Sequence, residues 1–112
     1  MRYLMLICGD EATGAAHAMD GCGGWTDEML ARGVLCGGEG LRPPADATTL
    51  RVRDGELLVS DGPFAETKDQ IGGYCVLRCA DLDEAVEVAS KHPAAAYGTI
   101  ELRPLLALPP HP

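Results

Sequence analysis

Thirteen residues near the middle of the chain, Asp61-Gly62-Pro63-Phe64-Ala65-Glu66-Thr67-Lys68-Asp69-Gln70-Ile71-Gly72-Gly73, constrain the fold more than any other stretch. They begin as a turn and end as the entry to a strand. Asp61 can accept a hydrogen bond from the backbone two residues on, Gly62 tolerates positive φ, and Pro63 fixes φ at the turn value. Pro63 also biases Gly62 away from the right-handed helical region. Gly72-Gly73 permits a bulge or a close backbone approach before a strand expected to start at Tyr74. Between these ends sit Phe64, the only phenylalanine, and three charges of alternating sign, Glu66, Lys68 and Asp69. Phe64 is either an anchor that pins the loop or the apolar wall of a pocket. The charges make either a solvated loop with weak ion pairs or part of a ligand site on a rigid scaffold.

The flanking pattern says what that scaffold is. Residues 2–8 form a near-continuous apolar run, suited to a central strand buried on both faces. Val34 to Leu41 begins as a strand and runs into Gly37-Gly38-Glu39-Gly40, where the backbone can approach a neighbour closely. Thr48 to Arg53 alternates in polarity, Asp54-Gly55 signals a hairpin turn, and Glu56 to Ser60 returns. Tyr74 to Cys79 is the next core strand, with Cys75 and Leu77 on one face and Tyr74 and Val76 on the other. Gly98 to Arg103 is the last, with Ile100 and Leu102 inward.

Two helices fill the remaining slots. Gly21-Cys22-Gly23-Gly24 weakens the first, since each glycine costs about 1 kcal/mol against alanine inside a helix. A break is expected there, followed by a firm helix from about Trp25 to Arg32 that ends at Gly33. The second starts at Asp81 as N-cap with Glu84 as its partner three residues on. Leu82, Ala85, Val86 and Ala89 form its apolar stripe, and Glu87 and Lys91 pair on the exposed side. Lys91 and His92 suit the negative C-terminal end, and Pro93 stops the helix. The order β-α-β, hairpin, β-α-β is the split βαβ pattern: an α+β, ferredoxin-like βαββαβ domain with an inserted β-hairpin. Helices cover one sheet face. The other needs a partner, so a homodimer is expected.

With 112 residues, the chain is one domain, 1–112, of modest core-forming capacity. A net charge of −8 argues against nucleic acid and against anionic membrane surfaces as partners. The opening apolar run is too short for a signal core or a membrane span. A cytoplasmic protein with reduced thiols is expected. The five cysteines, Cys8, Cys22, Cys36, Cys75 and Cys79, lack zinc-site spacing, and most read as buried small hydrophobes. No metal or other cofactor is expected.

The string DGPFAETK followed by GGY, preceded by GVLCGGEGL at residues 33–41, resembles the DGPF subgroup of the YCII-related family. The likeness runs from Arg2-Tyr3-Leu4-Met5-Leu6 to Ile100-Glu101-Leu102-Arg103-Pro104. It implies a ferredoxin-like domain that dimerises into an α/β barrel, with a cleft of unknown function in most members. Related proteins are lyase-type enzymes that use a His and an Asp. Their helix-1 histidine falls near Gly21 here, and His17 lies about one turn earlier with no evident partner base. Members of this kind are also associated with alternative sigma factors.

Two functions follow as candidates. An acid–base enzyme of the lyase or isomerase type would draw on Asp61 or Glu66 as base and Lys68 to steady a developing oxyanion. Asp10, Glu39 and Phe64 would complete the ligand-binding wall. A non-catalytic sensor or regulatory module, linked to sigma-factor-dependent transcription, would use the same cleft for a small molecule and need no reactive group.

Overall fold

The computed structural model describes residues 1–10, 23–65 and 69–107. Glu66, Lys68, His17, Cys22 and the tail from residue 108 lie outside the described residues. The elements are β1 (Arg2–Gly9), α1 (Gly23–Ala31), β2 (Leu35–Gly40), a 3-10 turn (Pro44–Asp46), β3 (Thr48–Arg53), β4 (Glu56–Asp61), β5 (Gln70–Arg78), α2 (Leu82–Ser90), α3 (Ala94–Tyr97) and β6 (Thr99–Pro104). Four strands form one sheet in the order β2-β5-β1-β6, and β3 pairs only with β4. Within the four-stranded sheet every pairing is antiparallel. The fold is α+β and ferredoxin-like, with the expected hairpin inserted between the second and third sheet strands.

Side-chain alternation divides the sheet into two unlike faces. Tyr3, Met5, Ile7, Cys75 and Leu77 are buried beneath Trp25 and Met29 of α1 and Ala85, Val88 and Ala89 of α2. On the other face Leu4, Leu6, Cys8, Tyr74 and Val76 are only half-buried. Within one chain β1 is fully buried on one face only, because helices cover one side alone. The α2 stripe is corrected. Leu82 and Val86 are exposed, and the packed residues are Ala85, Val88 and Ala89. Those i, i+3, i+4 positions include two alanines, which let the helix lie close to the sheet.

Helix ends follow the local chemistry. Asp81 Oδ1 accepts from the Glu84 N–H at 2.9 Å. Glu84 Oε1 in turn accepts from the Ala80 N–H at 2.9 Å, one residue earlier than in a standard capping box. At the end of α1, Gly33 has φ +74°. Its N–H donates to Leu30 O, and the Val34 N–H donates to Met29 O, the paired bonds of a Schellman cap. Gly23 and Gly24 are the first residues of α1; Gly21 and Cys22, where the expected break begins, lie outside the described residues. On the surface between the helices, Glu87 takes Arg32 Nη2 at 2.9 Å and Lys91 Nζ at 3.0 Å. These bonds, Arg32's first, pull the Glu87 carboxyl down to a pKa of about 2.

Gly98 shows why the last strand can close the sheet. A Cβ there would stand 2.2 Å from Cys8 O, so only glycine admits β6 this close to the end of β1.

Candidate functional site

The hairpin turn determines where the loop of residues 61–73 goes. Asp54 and Gly55 have φ +53° and +77°, as a two-residue turn of type I′ requires. That turn sets the register Thr48↔Asp61 at the hairpin's root. Residues 47 and 62 must then lie side by side. The Gly62 N–H donates to Ala47 O at 2.7 Å, and Thr49 Oγ1 donates to Gly62 O at 2.8 Å. Gly62 takes φ +91°, the left-handed conformation expected of it.

The sheet ties the same two linkers at their other ends. Gly40 pairs with Gly73, and the Leu41 N–H donates to Gly72 O at 2.9 Å. The register of β5 against β1 runs Ile7↔Gly73 and then Cys8↔Ile71, so Gly72 is the extra residue of a bulge. The double glycine bulges as expected, but β5 starts at Gln70 rather than at Tyr74.

The two linkers, 41–47 and the described residues of 62–69 (62–65 and 69), are thus held together at both ends. Between them lies a cavity of about 500 Å³. Its walls are mainly apolar: Leu41, Pro43, Pro44, Pro63, Phe64 and Ile71. Two prolines and the 3-10 turn stiffen one linker. Phe64 lies on the wall of the cavity and is 78% exposed. Polar groups are few. Arg42 and Asp46 hold each other at 2.9 Å, Gln70 Nε2 donates to Ala65 O at 3.0 Å, and Asp69 adds a carboxylate.

Of the residues named from sequence, Phe64 lines this cavity. Asp61 sits exposed at the hairpin root, opposite Thr48. Glu39 lies exposed on edge strand β2, opposite Tyr74. Asp10 follows the end of β1 and is half-buried. None of these three is in the lining. Leu41 to Ala47 is the wall that sequence analysis passed over. Its signal was present: once the Asp54-Gly55 turn sets the hairpin register, the residues before Thr48 and after Asp61 must be neighbours.

Cys8, near the bulge, is half-buried. Burial, then the negative charges of Glu101 and Asp69, push its thiol up from the ordinary value. It is held as the protonated thiol, which is a poor nucleophile. Among the described residues there is no group of three or more His, Cys, Asp or Glu side chains that could hold a metal ion. None of the helices described is long and apolar enough to cross a membrane.

The family model of the YCII-related domain matches residues 1–108. The chain belongs to the YCII-related family. An uncharacterized protein of Rhizobium meliloti (strain 1021) is 46% identical over 72 residues, which are 62% of this chain. That match spans 58% of the relative's own length, less than two thirds of it. Within this YCII-related chain, the hairpin and its two linkers supply the candidate site, while the four-stranded sheet and its helices supply the scaffold.

Proposed function

We propose that the protein binds a small, largely apolar molecule between linkers 41–47 and 62–69. The observation that carries this reading is the 500 Å³ cavity, a size typical of small-molecule sites at about 300–1,000 Å³. Its apolar walls favour a hydrophobic body, and Arg42, Asp46, Asp69 and Gln70 offer a few orienting contacts. A screen of uncharged ring compounds by thermal shift tests it. A ligand at a hundredfold its Kd stabilises by about 2.7 kcal/mol, which is a shift of roughly 10 °C or more for a domain of this size. Phe64→Ala should reduce the shift. A screen in which no compound raises Tm, or in which Phe64→Ala leaves every hit unchanged, would overturn the proposal.

An acid–base enzyme of the lyase or isomerase type is the second reading, favoured by the Asp46 and Asp69 carboxylates in the cavity wall. Asp61, Glu66 and Lys68 remain its proposed catalytic groups. Asp61→Asn separates it from a sensor or regulatory role. In an enzyme the substitution lowers turnover while binding survives, whereas a sensor has no turnover to lose.

The protein acts, in the same proposal, as a homodimer through the open sheet face. Support comes from the half-buried strip Leu4, Leu6, Tyr74 and Val76. Arg2 and Arg78 stand toward one end of the strip and Glu39 toward the other, while Glu101 is already paired with Arg103 on the same face. Antiparallel stacking of two copies sets basic ends over acidic ones. Light scattering after size exclusion at micromolar concentration should give twice the 11.8 kDa chain mass. A clean monomer would refute it.

A further inference from the structure

The cavity between the two linkers has acidic surroundings. Among its described lining residues one arginine stands against two aspartates, Asp46 and Asp69. The arginine is already answered, because Arg42 Nε donates to Asp46 Oδ2 at 2.9 Å. Two further carboxylates flank the lining. Asp61 stands one residue before Gly62, at the root of the hairpin. Asp10 follows Gly9 and Asp69 precedes Gln70, and Gly9 pairs with Gln70, so both acids sit at the same end of the sheet. Cys8, one residue before Gly9, registers the charge gathered there: after burial, Glu101 and Asp69 push its thiol up. Glu66 and Lys68, the other charges of the loop, add no net charge.

The acids border an apolar space rather than a metal site. Among the described residues no group of three or more His, Cys, Asp or Glu side chains is placed to hold a metal ion. Leu41, Pro43, Phe64 and Ile71 make the walls. Phe64 adds an attraction of the same sign as the acids. Its side chain is largely exposed, and the face of an aromatic ring attracts an ammonium within about 6 Å of its centroid. A carboxylate or phosphate entering the cavity would meet Asp46 and Asp69 and find Arg42 engaged. The net charge of −8 on the whole chain likewise draws cations toward it and repels anions.

We infer that the molecule held between the linkers is an organic monocation: a primary ammonium carried on a hydrocarbon ring, with the ring against Phe64 and Ile71 and the ammonium toward Asp69. This rests on the reading of the cavity as a small-molecule site and adds the charge of its ligand.

The test uses the whole chain at low salt and three probes that share one ring. Cyclohexylmethylamine is protonated at neutral pH, as a lysine amine is. Cyclohexylmethanol is neutral, and cyclohexanecarboxylate is an anion. Occupancy is followed by the ring resonances of Phe64, the only phenylalanine. The amine should bind about tenfold more tightly than the alcohol, as expected for one exposed ion pair together with one cation–π contact. The carboxylate should bind more weakly than either. Added salt should shrink the preference for the amine, because exposed charges are screened. Asp69→Asn should narrow the amine-to-alcohol ratio, whereas Asp83→Asn, in the first turn of α2, should leave it unchanged. Equal binding of amine and alcohol, tighter binding of the carboxylate, or equal narrowing by the two substitutions sinks the inference and leaves the small-molecule reading standing. If none of the three probes moves the Phe64 resonances at millimolar concentration, both fall. The probe comparison is made on the unaltered chain, so it decides the matter even where Asp69→Asn fails to fold.

Discussion

The helix-covered half of the molecule and the half built from the hairpin and its linkers obey different rules. In the first, every second residue of β1, and of β5 from Gly73 on, is buried, and Met5, Ile7, Met29, Leu77 and Val88 are fully enclosed. In the second, Leu50, Val52, Leu57 and Val59 share one face of a two-stranded ribbon and are each more than half exposed. A lone hairpin is marginally stable in water. The first half is held by packing. The second is held by a turn and by paired backbone at two ends. Stability therefore resides in one half and candidate function largely in the other.

The largest test of that contrast is a pair of truncations. Met29→Ala should cost about 2–5 kcal/mol in urea unfolding, whereas Val59→Ala should stay within about 0.5 kcal/mol in a monomer. If Val59→Ala costs as much as Met29→Ala at concentrations where two copies associate, the hairpin is buried in the assembly and the contrast breaks. A glycine pair sharpens it on a smaller scale. Gly98→Ala places a methyl against Cys8 O and should cost about 1–3 kcal/mol through forced backbone shifts. Gly37→Ala meets nothing within 4 Å and should be near neutral by the same unfolding assay. Asp81→Ala removes the α2 cap and should cost about 1 kcal/mol, within a range of roughly 0.5–2.

The smallest effects are those of pH, and both lie in the packed half. Glu87 has its pKa lowered from 4.5 to about 2 by Arg32 and Lys91. Its contribution is present above pH 4.5 and is lost as pH falls toward 2. Glu87→Gln should flatten that part of the stability profile, with only a small change near neutrality because the network is at the surface. Burial lowers the His92 pKa from 6.5. The unfolded chain then binds the proton more readily, so stability should fall as pH drops below about 6.5. Denaturation midpoints measured from pH 7.5 to 5, with His92→Phe as the reference, should show a slope in the parent chain that the variant lacks.

His92 marks a limit of sequence reasoning. Lys-His-Pro after an amphipathic helix reads as a charged helix end, and His92 does follow Lys91, the C-cap of α2. Yet Trp25, far away in the chain, closes over its ring, and the charge the local pattern called for is disfavoured. The candidate cleft was half legible. Asp61-Gly62-Pro63-Phe64 announced a turn with an apolar side chain beside it, and Phe64 does line a cavity. The opposite wall, Leu41 to Ala47, was not singled out, because nothing local in Arg42-Pro43-Pro44 says what it will face.

The sequence by itself determined the order of the strands and of the two main helices: the two-period strands, the Asp54-Gly55 turn, the Gly33 and Asp81 caps, and the glycines at Gly62 and Gly72, but not the short helix Ala94–Tyr97 or the 3-10 turn Pro44–Asp46. Each depends on interactions within a few residues, such as φ preference, capping bonds and side-chain alternation. Tertiary structure alone decided which face of β1 is covered, that Leu82 and Val86 face out, that two distant linkers enclose a cavity, and that His92 is buried. Those outcomes depend on contacts between residues far apart in the chain, and local periodicity carries no record of which partner will arrive.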